Sequence, residues 1–398
     1  MTYRLQLIAL LFVAASSFAQ GQKCLTCHLG THSQDQALAQ IIDTMQIQAS
    51  IHASLACTDC HTVDPATRHK GNRTVFCGKC HQTEAEGYSK SPHVKGREAN
   101  IERIPTCVTC HGGHDVQKAL DPKSRTSHAN SAKICIACHE DQKLTDNVTN
   151  LPKPAMIKAF ENSIHGQALL IMGDSTAPAC VDCHGSHSFL AADDPNSPVF
   201  KTHIAATCGR CHEEIAKTYS ESVHGHALAT GMLEAPTCTN CHGEHSIKAP
   251  SDPDSKVYAT NVSTTCSDCH TAEKIVAKFG LKADRIATFK ESFHGAATTL
   301  GDKRVANCAS CHGVHDIYPQ NDARSLINGA NIQNTCGKCH EGLPADFAKG
   351  AVHTSSTSKE SGGKFYVRQF YIWFISILIL AFIVYRVLEY KRRIKRVN

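Results

Sequence analysis

Every cysteine of this chain falls into one pattern, and that pattern constrains the fold more than any other feature. The 22 cysteines make eleven Cys-x-x-Cys-His motifs with none left over. They are Cys24, Cys27 and His28; Cys57, Cys60 and His61; Cys77, Cys80 and His81; Cys107, Cys110 and His111; Cys135, Cys138 and His139; Cys180, Cys183 and His184; Cys208, Cys211 and His212; Cys238, Cys241 and His242; Cys266, Cys269 and His270; Cys308, Cys311 and His312; and Cys336, Cys339 and His340. No thiol remains for a disulfide. A four-cysteine zinc ribbon has no use for a trailing histidine, yet one follows every pair here. The spacing instead suits covalent haem c: the two thiols become thioethers on the vinyl groups and the next imidazole ligates the iron. Eleven haems are expected, with the eleven motif histidines as proximal ligands.

Laid end to end, the motifs show an internal repeat. From Cys107 to Cys135, Cys180 to Cys208, Cys238 to Cys266 and Cys308 to Cys336 the interval is always 28 residues. A shorter pair runs from Cys57 to Cys77, and Cys24 stands alone before it. The first motif of each 28-residue pair continues as His-Gly-x-His, which adds His114, His187, His245 and His315; His69 takes that place in the short pair. A second class of histidine precedes each pair in a Ser-x-His setting, at His52, His93, His165, His224 and His294, and His353 closes the series. Helical composition before these residues and a Gly soon after them predict that each imidazole sits at a helix C-terminus. The module boundaries fall at about 20–92, 93–164, 165–223, 224–293 and 294–353.

A c-type haem without a free coordination site is a pure electron carrier, so the histidine supply bears on function. Of 26 histidines, eleven are proximal, six belong to the Ser-x-His class and five to the His-Gly-x-His class. Eleven distal candidates thus match eleven irons, and bis-histidine ligation is expected throughout. Met45, Met156, Met172 and Met232 share no sequence context, which leaves methionine a poor competitor. A histidine three residues beyond a proximal one lies on the wrong side of its own porphyrin, so it is expected to ligate a neighbouring iron. Four histidines are surplus: His32, His128, His203 and His226. His203 occupies the place held by Asn130, Asn261 and Asn331 in the other modules, which suggests polar capping.

The ends of the chain read differently. Arg4 and the apolar run that follows, up to the small-x-small site at residues 17–19, match an export signal over residues 1–19. Residues 365–389 read as a transmembrane helix, with Tyr366, Tyr371 and Trp373 toward one margin and Tyr385 and Tyr390 at the other. A basic tail, 390–398, follows and predicts a cytoplasmic C-terminus by the positive-inside rule. Residues 354–364 read as a flexible linker. Nine of the 41 basic residues but only one of the 36 acidic ones lie outside residues 20–363, so the haem-bearing stretch is mildly acidic and nucleic acid is not an expected partner. At about 30 residues per haem this stretch cannot build an ordinary side-chain core. The fold class expected is mainly α with extensive irregular coil, in haem-organised repeat modules, with one C-terminal transmembrane helix.

The doubled motifs with Cys-His-Gly-x-His, such as Cys107 to His114 and Cys238 to His245, resemble the doubled-motif multihaem c-type cytochromes of respiratory and extracellular electron transfer. That resemblance covers nearly the whole exported region. It implies haems strung between a membrane partner, a cytochrome b or quinol oxidoreductase subunit, and periplasmic or outer-membrane cytochromes or other acceptors, with the lipid bilayer holding the anchor. The haem domain is then expected on the periplasmic face of the inner membrane. An electron carrier or a subunit of a respiratory oxidoreductase complex is expected, with no catalytic residue of its own. The alternative is a reductase of nitrite, hydroxylamine or a sulfur oxyanion with one five-coordinate haem.

Overall fold

The computed structural model describes residues 24, 25, 28, 29, 42–62, 75–98, 104–146, 153–344, 346–347 and 352–397. Residues 1–19 lie outside that set, as do Cys27, His32 and His69. Among the described residues there are short helices, turns and coil, with no strand. The helical fold class read from sequence is what the structure shows, including one helix, Gly363–Val397, long and apolar enough over Gly363–Ile394 to cross a membrane. That helix runs unbroken through Arg386, Lys391, Arg392 and Arg393.

Each first motif of a 28-residue pair makes one turn of helix: Cys107–His111, Cys180–His184, Cys238–His242 and Cys308–His312. Both ends are closed by local sequence. At the start, the second variable residue of the motif turns back and accepts the backbone N–H of the residue before the motif: Thr109 from Thr106 (2.9 Å), Asp182 from Ala179 (2.7 Å), Asn240 from Thr237 (2.8 Å) and Ser310 from Asn307 (3.1 Å). This is half of a capping box. At the end stand Gly112, Gly185, Gly243 and Gly313 with φ of 86°, 85°, 88° and 92°, a region closed to most side chains. The Gly of Cys-His-Gly-x-His therefore ends the turn and redirects the chain toward the next histidine.

The second motif is entered through a loop whose logic also repeats. Ser124, Ser197, Ser255 and Ser325 are all but inaccessible, and each closes an Asp-x-x-Ser turn in which its N–H bonds the Asp carbonyl. Asn130, Asn261 and Asn331 each donate twice to carbonyls of that turn, at 2.7–3.0 Å. His203 does the same job once, its Nδ1 lying 2.8 Å from the Ser197 carbonyl. His203 is accordingly a cap.

The Ser-x-His helices correct one expectation. Ser163, Ser222 and Ser292 are N-caps whose hydroxyls accept the N–H of Gly166, Gly225 and Gly295 at 3.0–3.2 Å, so His165, His224 and His294 sit in the first turn of a new helix and not at the end of the old one. The Gly has a different purpose from a C-cap. A Cβ on Gly166, Gly225 or Gly295 would fall about 2 Å from the carbonyl oxygen of Phe160, Tyr219 or Phe289, so only Gly lets the two helices meet at this corner. Just before three of these histidines, the N–H groups of Ile51, Ile164 and Val223 donate to the carbonyls of Val116, Ile247 and Ile317 at 2.8–2.9 Å. Each acceptor lies two residues past a His-Gly-x-His histidine.

Side chains bury little apolar surface. Buried hydrophobics among the described residues are Ala132, Leu169, Ala177, Ala179, Ile204, Leu228, Ala235 and Ile286, half of them alanine, and the other buried side chains are mostly Ser and Thr. One unit takes in residues up to Cys208 with His245–Ile247; the other is Gly209–Glu244 with Lys248 onward.

Candidate functional site

The recurring feature of both units is a pair of imidazoles held at nearly one separation. In the first unit the pairs are His52 with His81, His61 with His114, His111 with His187 and His184 with His245, each with ring centroids 6.0 Å apart, and His93 with His139 at 6.3 Å. In the second they are His242 with His315 and His294 with His340 at 6.0 Å, His312 with His353 at 6.2 Å and His224 with His270 at 6.3 Å. Every one of these pairs joins a motif histidine to a histidine of one of the two other classes.

These are not ordinary ring contacts. Aromatic neighbours range over about 4.5–7 Å as their tilt changes, whereas here the tilt runs from 3° to 63° while the separation stays at 6.0–6.3 Å. A nearly constant distance with a free angle is what a spacer of fixed length would give, although the Phe200–His203 and Phe293–His294 rings also lie 6.0 and 6.2 Å apart. A metal–imidazole bond is about 2.0–2.1 Å and a ring centroid lies about 1.1 Å behind its nitrogen, so trans ligands of one metal place their centroids about 6.3 Å apart. The donor set fits an iron between each pair.

Electrostatics favour the ligating form. Burial lowers the pKa of His93, with the charge of His139 second, and that of His242, with His315 second. His224 is pushed down to about 4 by burial and then by His270. An imidazole that stays neutral keeps the lone pair that a metal takes.

The thiols line up as well. In the first unit Cys60 lies near Cys80, Cys77 shares a hydrogen bond with Cys107, and Cys135 lies near Cys110 and shares a hydrogen bond with Cys180; in the second Cys241 lies near Cys269, Cys266 shares a hydrogen bond with Cys308 and Cys311 lies near Cys336. Within each unit, spatial order therefore follows chain order, alternating within and between modules. The hydrogen bond to the neighbouring sulfur, and then burial, push the Cys135 and Cys266 thiols far above the usual range, while the same bond pulls Cys180 and Cys308 down.

Of the surplus histidines, His128 bonds Asp182 through Nε2 at 2.8 Å and ties the helix His128–His139 to the motif turn Cys180–His184. Sequence reading missed the short polar residue at the second variable position of each first motif and the Asp-x-x-Ser turns. Both were visible as repeats, in Asp121-Pro122-Lys123-Ser124 and Asp252-Pro253-Asp254-Ser255 for instance.

Paired imidazoles beside paired thiols are what a chain holding haem c would present, and the chain is similar to two curated cytochromes. The high-molecular-weight cytochrome c of Nitratidesulfovibrio vulgaris is 24% identical over 218 residues, which is 52% of this chain and 31% of that one. The cytochrome c-type protein NrfB of Escherichia coli is 29% identical over 162 residues, 38% of this chain and 72% of that one. Both relatives carry the name of cytochromes of the c type. The chain spans about a third of the length of the first. No family model matches, and no solved structure does.

Proposed function

We propose that the chain is an undecahaem electron-transfer cytochrome, with each of its eleven motifs binding one haem c and each iron held by two histidines. The observation that carries this reading is the constant 6.0–6.3 Å pairing of motif histidines with histidines of the two other classes. His28, His165, His212 and His69 keep their ligand assignments on sequence grounds. Bound haem c supplies a one-electron couple at each site. The protein's part is to attach it through paired thiols, to fill both axial positions with neutral imidazoles, and to hold neighbouring sites in chain order.

The cytochrome relays electrons between a membrane quinol-oxidising partner, such as a cytochrome b, and periplasmic or extracellular acceptors. Support comes from the helix Gly363–Val397, whose basic end favours the cytoplasmic side and leaves the haem-bearing residues on the periplasmic face, and from an export signal at residues 1–19. Low-temperature EPR of the oxidised, loaded protein, with and without nitric oxide or cyanide, tests the ligation. Low-spin bis-histidine signals untouched by either ligand are expected; a stoichiometric high-spin haem that binds them would overturn it in favour of a reductase. Mass spectrometry of the intact protein checks the count of eleven.

A further inference from the structure

His353, unlike the other histidines of its class, precedes no motif pair in this sequence, and two side chains of the helix Arg285–Lys290 hold it in place. Arg285 donates from Nη1 to the His353 carbonyl at 3.1 Å. Thr288, only 2% exposed, places Oγ1 3.2 Å from His353 Nδ1. The same hydroxyl lies 2.8 Å from the Asp284 carbonyl and 3.0 Å from that of Arg285. A hydroxyl has one proton to give, and these carbonyls can only accept it. Its oxygen is then left to accept from Nδ1–H of His353, which assigns the proton to Nδ1 and the lone pair to Nε2.

Among the described residues no equivalent position of the repeat makes this contact. Thr288 stands six residues before His294, and the same position before the other Ser-x-His histidines holds Gln46, Gly87, Ala159 and Thr218; the other hydroxyls beside an Nδ1, Ser186 at His187 and Thr126 at His111, lie farther off, at 3.4 and 3.5 Å. A Cβ on Gly87 would sit 3.4 Å from the Cβ of His187, so in that module too the position faces the partner of the first motif histidine, but without a hydroxyl. Thr218 gives its hydroxyl proton to the Glu214 carbonyl of its own helix at 2.8 Å.

We infer that Thr288 is the positioning residue for the ligand His353. Its hydroxyl fixes the Nδ1–H form and, by drawing on that proton, makes the imidazole a stronger electron donor to the iron, as partners of the outer ring nitrogen do at metal sites. A stronger donor stabilises the oxidised iron and lowers the midpoint potential of the site made by His312 and His353. This inference rests on reading that pair as haem ligands.

The test is a spectroelectrochemical titration with low-temperature EPR on the loaded, full-length protein carrying Thr288→Val, Thr288→Ser or His353→Ala. Thr288→Val is expected to move one midpoint potential upward and to shift the g-values of one low-spin signal while the others stay put; Thr288→Ser restores both. Unchanged potentials and g-values in a fully loaded Thr288→Val protein overturn the role of Thr288. If His353→Ala produces no high-spin haem, the ligand assignment itself falls, and the inference with it. Should Thr288→Val fail to load haem, Thr288→Ala carries the same comparison, since it too lacks the hydroxyl.

Discussion

The two motifs of a module have the same five letters but make different structures. The first is a single turn closed at both ends, and its imidazole faces a histidine of the following module, as in His111 with His187 and His242 with His315. The second ends a longer helix entered through the Asp-x-x-Ser loop, and its imidazole faces the Ser-x-His residue that opens its own module, as in His139 with His93 and His270 with His224. One kind of site seals a module internally; the other clasps it to its successor. Identical chemistry thus serves two mechanical purposes, and the residues flanking each motif decide which.

Five sets of substitutions break or sharpen this contrast. The largest effect is expected from losing a clasp. His187→Ala or His315→Ala should leave one high-spin haem and open a new site of limited proteolysis between modules, whereas His93→Ala or His224→Ala should give the high-spin haem alone; EPR and a protease time course on the same samples check this. Next comes Gly295→Ala, whose methyl would fall on the Phe289 carbonyl about 2 Å away. A loss on the order of 3–4 kcal/mol is expected from such overpacking, seen as a sharp drop in thermal stability of the loaded protein. Removing two hydrogen bonds to the buried loop by Asn331→Ala should cost about 2 kcal/mol. By contrast His203→Asn should stay within about 0.5 kcal/mol and leave every EPR signal in place, as a cap and not a ligand would. Thr109→Ala, which removes the return bond of a first-motif cap, falls between Asn331→Ala and His203→Asn and should lower stability by about 1 kcal/mol.

The fold class and the two classes of histidine that meet the motif histidines were legible in sequence because each is written locally, in the Cys-x-x-Cys-His spacing, the Cys-His-Gly-x-His extension and the Ser-x-His setting. Which imidazole meets which was not. The partner of His111 lies 76 residues away, at His187, and its choice depends on how modules dock. The Gly after His294 misled for a physical reason: helix C-caps and tight helix corners both demand a missing side chain, and only the position of the Phe289 carbonyl tells them apart. The hydroxyl of Thr288 near His353 was invisible for the same reason as the pairings, since 65 residues separate the two.

The single N–H···O bonds from Ile51, Ile164 and Val223 to the loop beyond each clasp show where such an array could grow. A module pairs its second motif histidine internally but leaves the first to be paired by its successor. A duplicated module inserted in series would therefore arrive with the ligand its predecessor lacks and pass the same need onward, so length is set only by how the last need is met. Here a histidine with no motif behind it, His353, terminates the series, in the way that a stopper ends a polymer whose every link has one open hand.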